Sequence, residues 1–121
     1  LHCPQNEETM GMIDRPLLNK VKPGSYFINL ARGGIVESLD PLHEMLVSGQ
    51  LTGVALDVFA IEPPDHTHPI FRDENFLCSP HALATSDGAM RRIFKSMADD
   101  MAAILEGKSP QFVVNPEVLV K

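Results

Sequence analysis

Tryptophan is absent from the 121 residues, and the aromatic complement is one tyrosine and six phenylalanines. So sparse a set cannot build the stacking platform on which single-stranded nucleic acid is bound. Cationic side chains are also in deficit. Ten Lys+Arg against sixteen Asp+Glu leave a formal net charge of −6 and an isoelectric point near 5.2. Such a surface repels phosphate, which argues against nucleic-acid and anionic-membrane partners. No apolar run approaches the ~20 residues a membrane helix requires, and no charged-then-apolar signal segment opens the chain. The two cysteines, Cys3 and Cys78, are too few for a disulfide framework and form no CxxC pair. Each lies close before a proline in an apolar stretch and reads as a buried free thiol in a reducing, cytoplasmic compartment. What remains has globular composition, 44% hydrophobic and 21% charged, in the length of one small domain. Leu1 rather than methionine opens the chain, so it is not expected to be the natural start.

The hydrophobic rhythm alternates between two periods. Leu1-His2-Cys3 reads as the end of a strand halted by Pro4. Asp14 is placed to cap a helix with Pro16 in its first turn and Leu17, Leu18 and Val21 on its apolar face. Pro23-Gly24 ends that helix, and residues 25–30 (Ser-Tyr-Phe-Ile-Asn-Leu) read as a buried strand running into a tight turn at Gly33-Gly34. Ser38 is expected to cap a second helix, with Leu39, Leu42, Met45 and Leu46 on one face and Gly49 as its stop. Residues 53–59 form the next strand, apolar on both faces as parallel sheets require, and residues 75–78 a further short one. Ser86, Asp87 and Gly107 bracket a long helix whose Met90, Ile93, Phe94, Met97, Met101, Ile104 and Leu105 form one stripe, read as core or interface packing. Val113, Val114, Val118 and Leu119 lie in a tail expected to rest on another surface. The order of elements implies an α/β fold, a partial Rossmann-like parallel sheet with flanking helices and a long C-terminal helix.

In such sheets ligands bind beyond the carboxyl ends of the strands, and Arg32, Asp57, Glu62 and His81 all fall there. A guanidinium at Arg32 could clamp a carboxylate through two parallel hydrogen bonds, although an arginine in a turn is equally an ordinary surface residue. His81, at a strand end, suits proton transfer near neutral pH, or a plain backbone contact. Glu62 gains interest beside His81, because a carboxylate stabilises the charged ring and fixes its tautomer. Otherwise it is a solvated loop acid. His66 and His68 could share one side of an extended segment, but no further ligands stand at a metal-binding spacing, so no metal is expected. Ser79 and Cys78 lack any nucleophile-elbow context.

Taken in order, several stretches resemble the NAD-dependent D-isomer-specific 2-hydroxyacid dehydrogenases over nearly the whole chain. They are residues 1–4 (LHCP), 12–18, 21–24 (VKPG), 28–36 (INLARGGIV), 53–59 (GVALDVF) with Glu62-Pro63, Ser79-Pro80-His81, and Val113-Val114-Asn115. The resemblance implies an NAD(P)-dependent dehydrogenase acting on a small 2-hydroxy or 2-keto acid. In it Arg32 would bind the substrate carboxylate, His81 would be the acid/base and Glu62 its support. It further implies that Cys3, Pro4, Leu30, Ala31, Arg32, Asp57 and His81 line the cofactor, with Asp57 orienting the nicotinamide carboxamide. Leu83 and Ser86 depart from the family, which usually has a small residue and Thr there, and this would narrow the pocket beside the nicotinamide.

The fingerprint G-x-G-x-x-G, which brings backbone up to a pyrophosphate, is not in the sequence, nor is the acidic residue that holds the adenosine ribose. NAD is the expected cofactor, with NADP not excluded. Residues 1–107 are expected to be the C-terminal part of a dinucleotide-binding domain, and residues 108–121 a tail returning toward a substrate domain outside the chain. The chain reads as a fragment of a larger enzyme, inactive in isolation. A different reading is a non-catalytic nucleotide-sensing or interaction module of the same descent. An opened sheet and an uncovered helix stripe imply self-association, either as a homodimer or by swapping of the long helix.

Overall fold

The computed structural model describes residues 1–119 and divides the chain into two compact units, one of residues Leu1–Leu83 and one beginning at Ala84. In the first unit a parallel three-stranded sheet runs in the order β1 (Ser25–Asn29), β2 (Leu51–Leu56), β3 (Phe76–Cys78). Parallel neighbours need crossovers, and here the helix α2 (Asp40–Val47) links β1 to β2, while a loop with a 3₁₀ turn (Pro69–Arg72) links β2 to β3. A short helix α1 (Arg15–Leu18) precedes β1, capped by Asp14 accepting from the Leu17 N–H, with Pro in its first turn as expected.

Leu18, Ile35, Leu42, Leu51 and Ile70 are fully buried at the centre of the core. Leu42, Met45 and Leu46 come from one face of α2, at the spacing the sequence shows. Gly49 ends that helix in the left-handed conformation that costs glycine nothing. Each such apolar side chain contributes about 1.5–3 kcal/mol on burial. That single core fixes the sheet, and with it the edge from which the candidate residues project.

Several local expectations are corrected. Residues 1–3 form no strand; the Leu1 ammonium donates to the Ile28 carbonyl at 2.7 Å, one bond where a ladder was expected. The Asp14-capped helix stops at Leu18, so Val21 lies beyond it. Ser38 is not the helix cap: that position is Leu39, and the Ser38 hydroxyl accepts from the Asp40 N–H one turn position early. β2 begins at Leu51 and ends at Leu56, leaving Asp57 to Phe59 past its end. β1 is covered on one face only; the register puts Tyr26, Ile28 and Leu77 on the other, where all three are exposed. Cys78 is exposed rather than buried, because β3 is an edge strand and ends beside an open cavity; both cysteines are free.

The second unit holds α3 (Asp87–Leu105), capped by the Ser86 hydroxyl and closed by Gly107 at positive φ. Its apolar stripe forms as the period requires, but none of its residues is buried, so the core reading of the stripe does not hold. Periodicity identifies an amphipathic face and carries no information about what covers it. In the tail Val114 is fully exposed and Val118 largely so, a 3₁₀ turn spans Pro116–Leu119, and positions 120 and 121 lie outside the described residues. Among the described residues no helix is long and apolar enough to cross a membrane.

Candidate active site

The segments that leave β1, β2 and β3 meet at the carboxyl edge of the sheet. Asn29, the last residue of β1, is fully buried; its side-chain oxygen accepts from the Ala31 N–H at 3.0 Å and its amide donates to the Arg32 carbonyl at 2.9 Å. That double bond to the backbone bends the chain so that Arg32 stands exposed on the rim. The Arg32 guanidinium donates to the Ala31 carbonyl at 2.8 Å and pairs with no carboxylate among the described residues. Behind it the backbone at Gly33 lies against the backbone of Phe59: a Cβ at Gly33 would stand 1.9 Å from the Phe59 carbonyl carbon. Only glycine permits that approach, which draws the loops after β1 and β2 together.

Glu62 projects from the loop after β2. Phe59 and Phe71 stack with ring centres 5.8 Å apart and Phe71 meets Phe76 edge-on at 5.3 Å, bracing that loop. One Glu62 oxygen accepts from the Phe59 N–H at 3.0 Å; the other lies 3.0 Å from His81 Nδ1. The bond with His81, assisted by the Phe59 N–H, holds the Glu62 carboxyl below the usual carboxylate range.

His81 follows β3 and takes a φ of 53°, a left-handed conformation rare for a residue with a side chain. Its N–H donates to the Asp57 carbonyl at 2.8 Å and the Ser79 carbonyl at 3.0 Å. The Asp57 carboxylate holds the turn from inside. It accepts from the Ser79 hydroxyl at 2.5 Å, the Ala82 N–H at 2.9 Å and the Leu83 N–H at 3.1 Å. Burial alone would raise the Asp57 carboxyl, but these bonds outweigh it and leave the group below its ordinary value. Strain at His81 is thus held by bonds on both sides of it.

Arg32, Glu62 and His81 share the wall of one cavity of about 230 Å³, together with Gln5 and Gly33. A neighbouring cavity of about 380 Å³ is lined by His2, Cys3, Pro4, Leu30 and Ala31, with Gln5 and Arg32 common to both. Six of the seven residues expected to line the cofactor, and Glu62, therefore border this pair of cavities. Asp57 borders neither and lies buried behind them. Two participants were not singled out from sequence, and a third has a part other than the one weighed for it. Gln5 had no signal, being one polar residue in a polar loop. Asn29 had one, a polar residue ending an apolar strand. Ser79 was considered as a nucleophile, whereas its hydroxyl is a donor to Asp57.

His66 and His68 take other parts. His68 Nε2 lies 3.0 Å from Asp40, its Nδ1 accepts from the Ile70 N–H at 3.2 Å, and His66 packs edge-on to Phe71 at 5.1 Å. Among the described residues no group of three His, Cys, Asp or Glu could hold a metal ion.

Known proteins resemble this chain in sequence and in fold. The glyoxylate reductase of Thermofilum pendens is 36% identical over 119 residues, which is 98% of this chain and 35% of that protein. The crystal structure of the TT0316 protein from Thermus thermophilus matches with a TM-score of 0.87 at 32% identity, covering 94% of this chain and 36% of that one. D-Lactate dehydrogenase from Aquifex aeolicus, complexed with NAD and lactic acid, matches with a TM-score of 0.78 at 28% identity, over 88% of this chain and 36% of that one. The chain spans about a third of the length of each of these proteins. Residues 1–82 match the NAD binding domain of the D-isomer specific 2-hydroxyacid dehydrogenases, and the chain belongs to that family.

Proposed function

We propose that these residues form the catalytic portion of an NAD(P)-dependent 2-hydroxyacid dehydrogenase, which interconverts small 2-hydroxy and 2-keto acids. The observation that carries the reading is the His81–Glu62 pair, 3.0 Å apart, opening on the cavity that Arg32 shares. With Glu62 ionised and accepting at Nδ1, the imidazole keeps Nε2 for exchange with the substrate. In reduction His81 gives that proton to the oxygen at carbon 2, and in oxidation it removes the hydroxyl proton. Arg32 offers a planar pair of donors to the substrate carboxylate and, beside it, stabilises negative charge developing on the reacting oxygen.

The cavity fits one end of a dinucleotide. Cys3, Pro4, Leu30 and Ala31 border it, Arg32 and Gln5 stand at its junction with the catalytic cavity that His81 lines, and Asp57 lies buried behind. When bound, the nicotinamide supplies or accepts the hydride. The pyrophosphate fingerprint is not in this sequence, so the reading concerns the nicotinamide end. Glyoxylate, hydroxypyruvate and phosphoglycerate are the substrates to try first.

The test is NADH oxidation with these keto acids by the full-length protein that carries the chain, with and without His81→Ala. General acid catalysis is worth about 10²–10⁴-fold, so kcat should fall by that much. An unchanged kcat would overturn the assignment.

We also propose that α3 mediates self-association with a second copy. Phe94, Met97, Met101 and Ile104 are more than half exposed along one stripe. Arg91 and Arg92 outnumber Asp87 in the first half of the helix and Asp100 lies in the second, while Lys95 and Asp99 pair within the helix at 2.5 Å. An antiparallel pair sets opposite charges beside each other, and a parallel pair sets like beside like.

A further inference from the structure

We propose that Asn29 is the positioning residue for Arg32, setting the backbone from which the guanidinium reaches the substrate carboxylate. The proposal rests on the reading of Arg32 just given. Asn29 touches neither of the two cavities that Arg32 borders, and it is fully buried. Its side-chain amide uses both functions on the bend: the oxygen holds the peptide N–H of Ala31 and the nitrogen holds the carbonyl of Arg32. The peptide units before and after the Ala31–Arg32 linkage are thereby tied to one rigid side chain at the end of β1. Arg32 itself is extended, with φ −149° and ψ 143°, and donates from Nη1 to the carbonyl of Ala31. Moving either peptide swings the guanidinium on a long lever, and a bidentate contact tolerates little rotation.

The chemistry of the side chain is specific to asparagine. Aspartate would place an anion against the Arg32 carbonyl, leucine would leave a buried N–H unpaired, and glutamine is one methylene too long to make the same two short-range bonds. The same residue also joins the two halves of the site. Its main-chain carbonyl accepts from the Asp57 N–H at 3.1 Å, and the Asp57 carbonyl accepts from the His81 N–H at 2.8 Å. A path of three hydrogen-bonded residues thus runs from the arginine loop to the histidine turn.

The experiment is a double-mutant cycle in the full-length protein with glyoxylate and NADH, using Asn29→Ala, Arg32→Ala and both together. Asn29→Ala should raise KM for the keto acid about tenfold, the scale of one lost hydrogen bond to a buried group, and leave the pH profile of kcat in place. In the Arg32→Ala background the same change should add nothing to KM. Asn29→Ser, whose hydroxyl makes the same local turn bond more weakly, should give an intermediate KM, and it carries the comparison if Asn29→Ala does not fold. An effect of Asn29→Ala that persists in full without Arg32, or that falls on kcat with KM unchanged, would overturn the proposal. If Arg32→Ala raises KM and the Asn29 variants do not, this proposal alone fails. An Arg32→Ala protein with unaltered KM would remove the reading of Arg32, and this proposal with it.

Discussion

Replacing Asp57 by Asn isolates the charge that holds the histidine turn. One oxygen of the carboxylate accepts from Ser79 and Ala82, the other from Leu83. An amide keeps the first oxygen and turns an NH₂ toward the Leu83 N–H, so one bond is lost, one buried donor is left facing another, and charge assistance is lost at the rest. An orphaned buried donor costs about 1–3 kcal/mol. A central figure of about 2 kcal/mol lowers the melting temperature of a chain this size by about 6–10 °C. The pH dependence has a definite sign. Asp57 is held below its ordinary value in the folded chain, so its contribution is complete above the unfolded carboxylate value of about 3.9 and disappears as pH falls through the lower folded value. Chemical denaturation of the native chain and the Asp57→Asn variant should therefore differ by the full amount at neutral pH, and the gap should close progressively below about pH 3.9. A gap of the same size at neutral and strongly acid pH would refute the idea that ionised Asp57 anchors the turn.

Three further outcomes follow from the geometry. Gly33→Ala should prevent the loops after β1 and β2 from closing, since the added carbon would lie 1.9 Å from the Phe59 backbone; a cooperative melt like that of the native chain would contradict it. Glu62→Gln replaces a charge-assisted bond to His81 by a neutral one of about half the strength, so kcat should fall about tenfold. Because His81 holds the Glu62 carboxyl below its ordinary value, loss of that carboxylate should produce no acid limb in the rate profile above about pH 4.3. Light scattering should find the native chain associated and a Phe94→Glu, Met97→Glu double variant monomeric. A native chain that stays monomeric at high concentration would count against the α3 interface.

The periodic features were the readable ones. Alternating strand and helix signals, Asp14 and Ser86 as caps and Gly49 and Gly107 as stops all act through local backbone chemistry and stand where expected. Arg32, Glu62 and His81 were legible because each follows a strand, and parallel strands deliver their carboxyl ends to one edge. Less legible were features whose partner is distant in sequence. Tyr26 and Ile28 have the pattern of a strand buried on both faces, yet burial depends on a covering layer that strand propensity does not encode. The α3 stripe is the same case on a helix. Cys78 has apolar neighbours in sequence, yet its place on an edge strand is open.

By itself the sequence determined the α/β class, the order of the elements and the set of polar residues available at the sheet edge, because hydrophobic period, caps and turn residues are local properties. Tertiary structure decided how those residues are used. It set the 3.0 Å contact between His81 and Glu62 across nineteen positions of chain, and turned Asp57 inward as the anchor of the histidine turn. It also gave Asn29 both ends of the arginine bend. Each of these is a matter of which groups meet after the core closes, and a hydrogen bond has no direction or partner until it does.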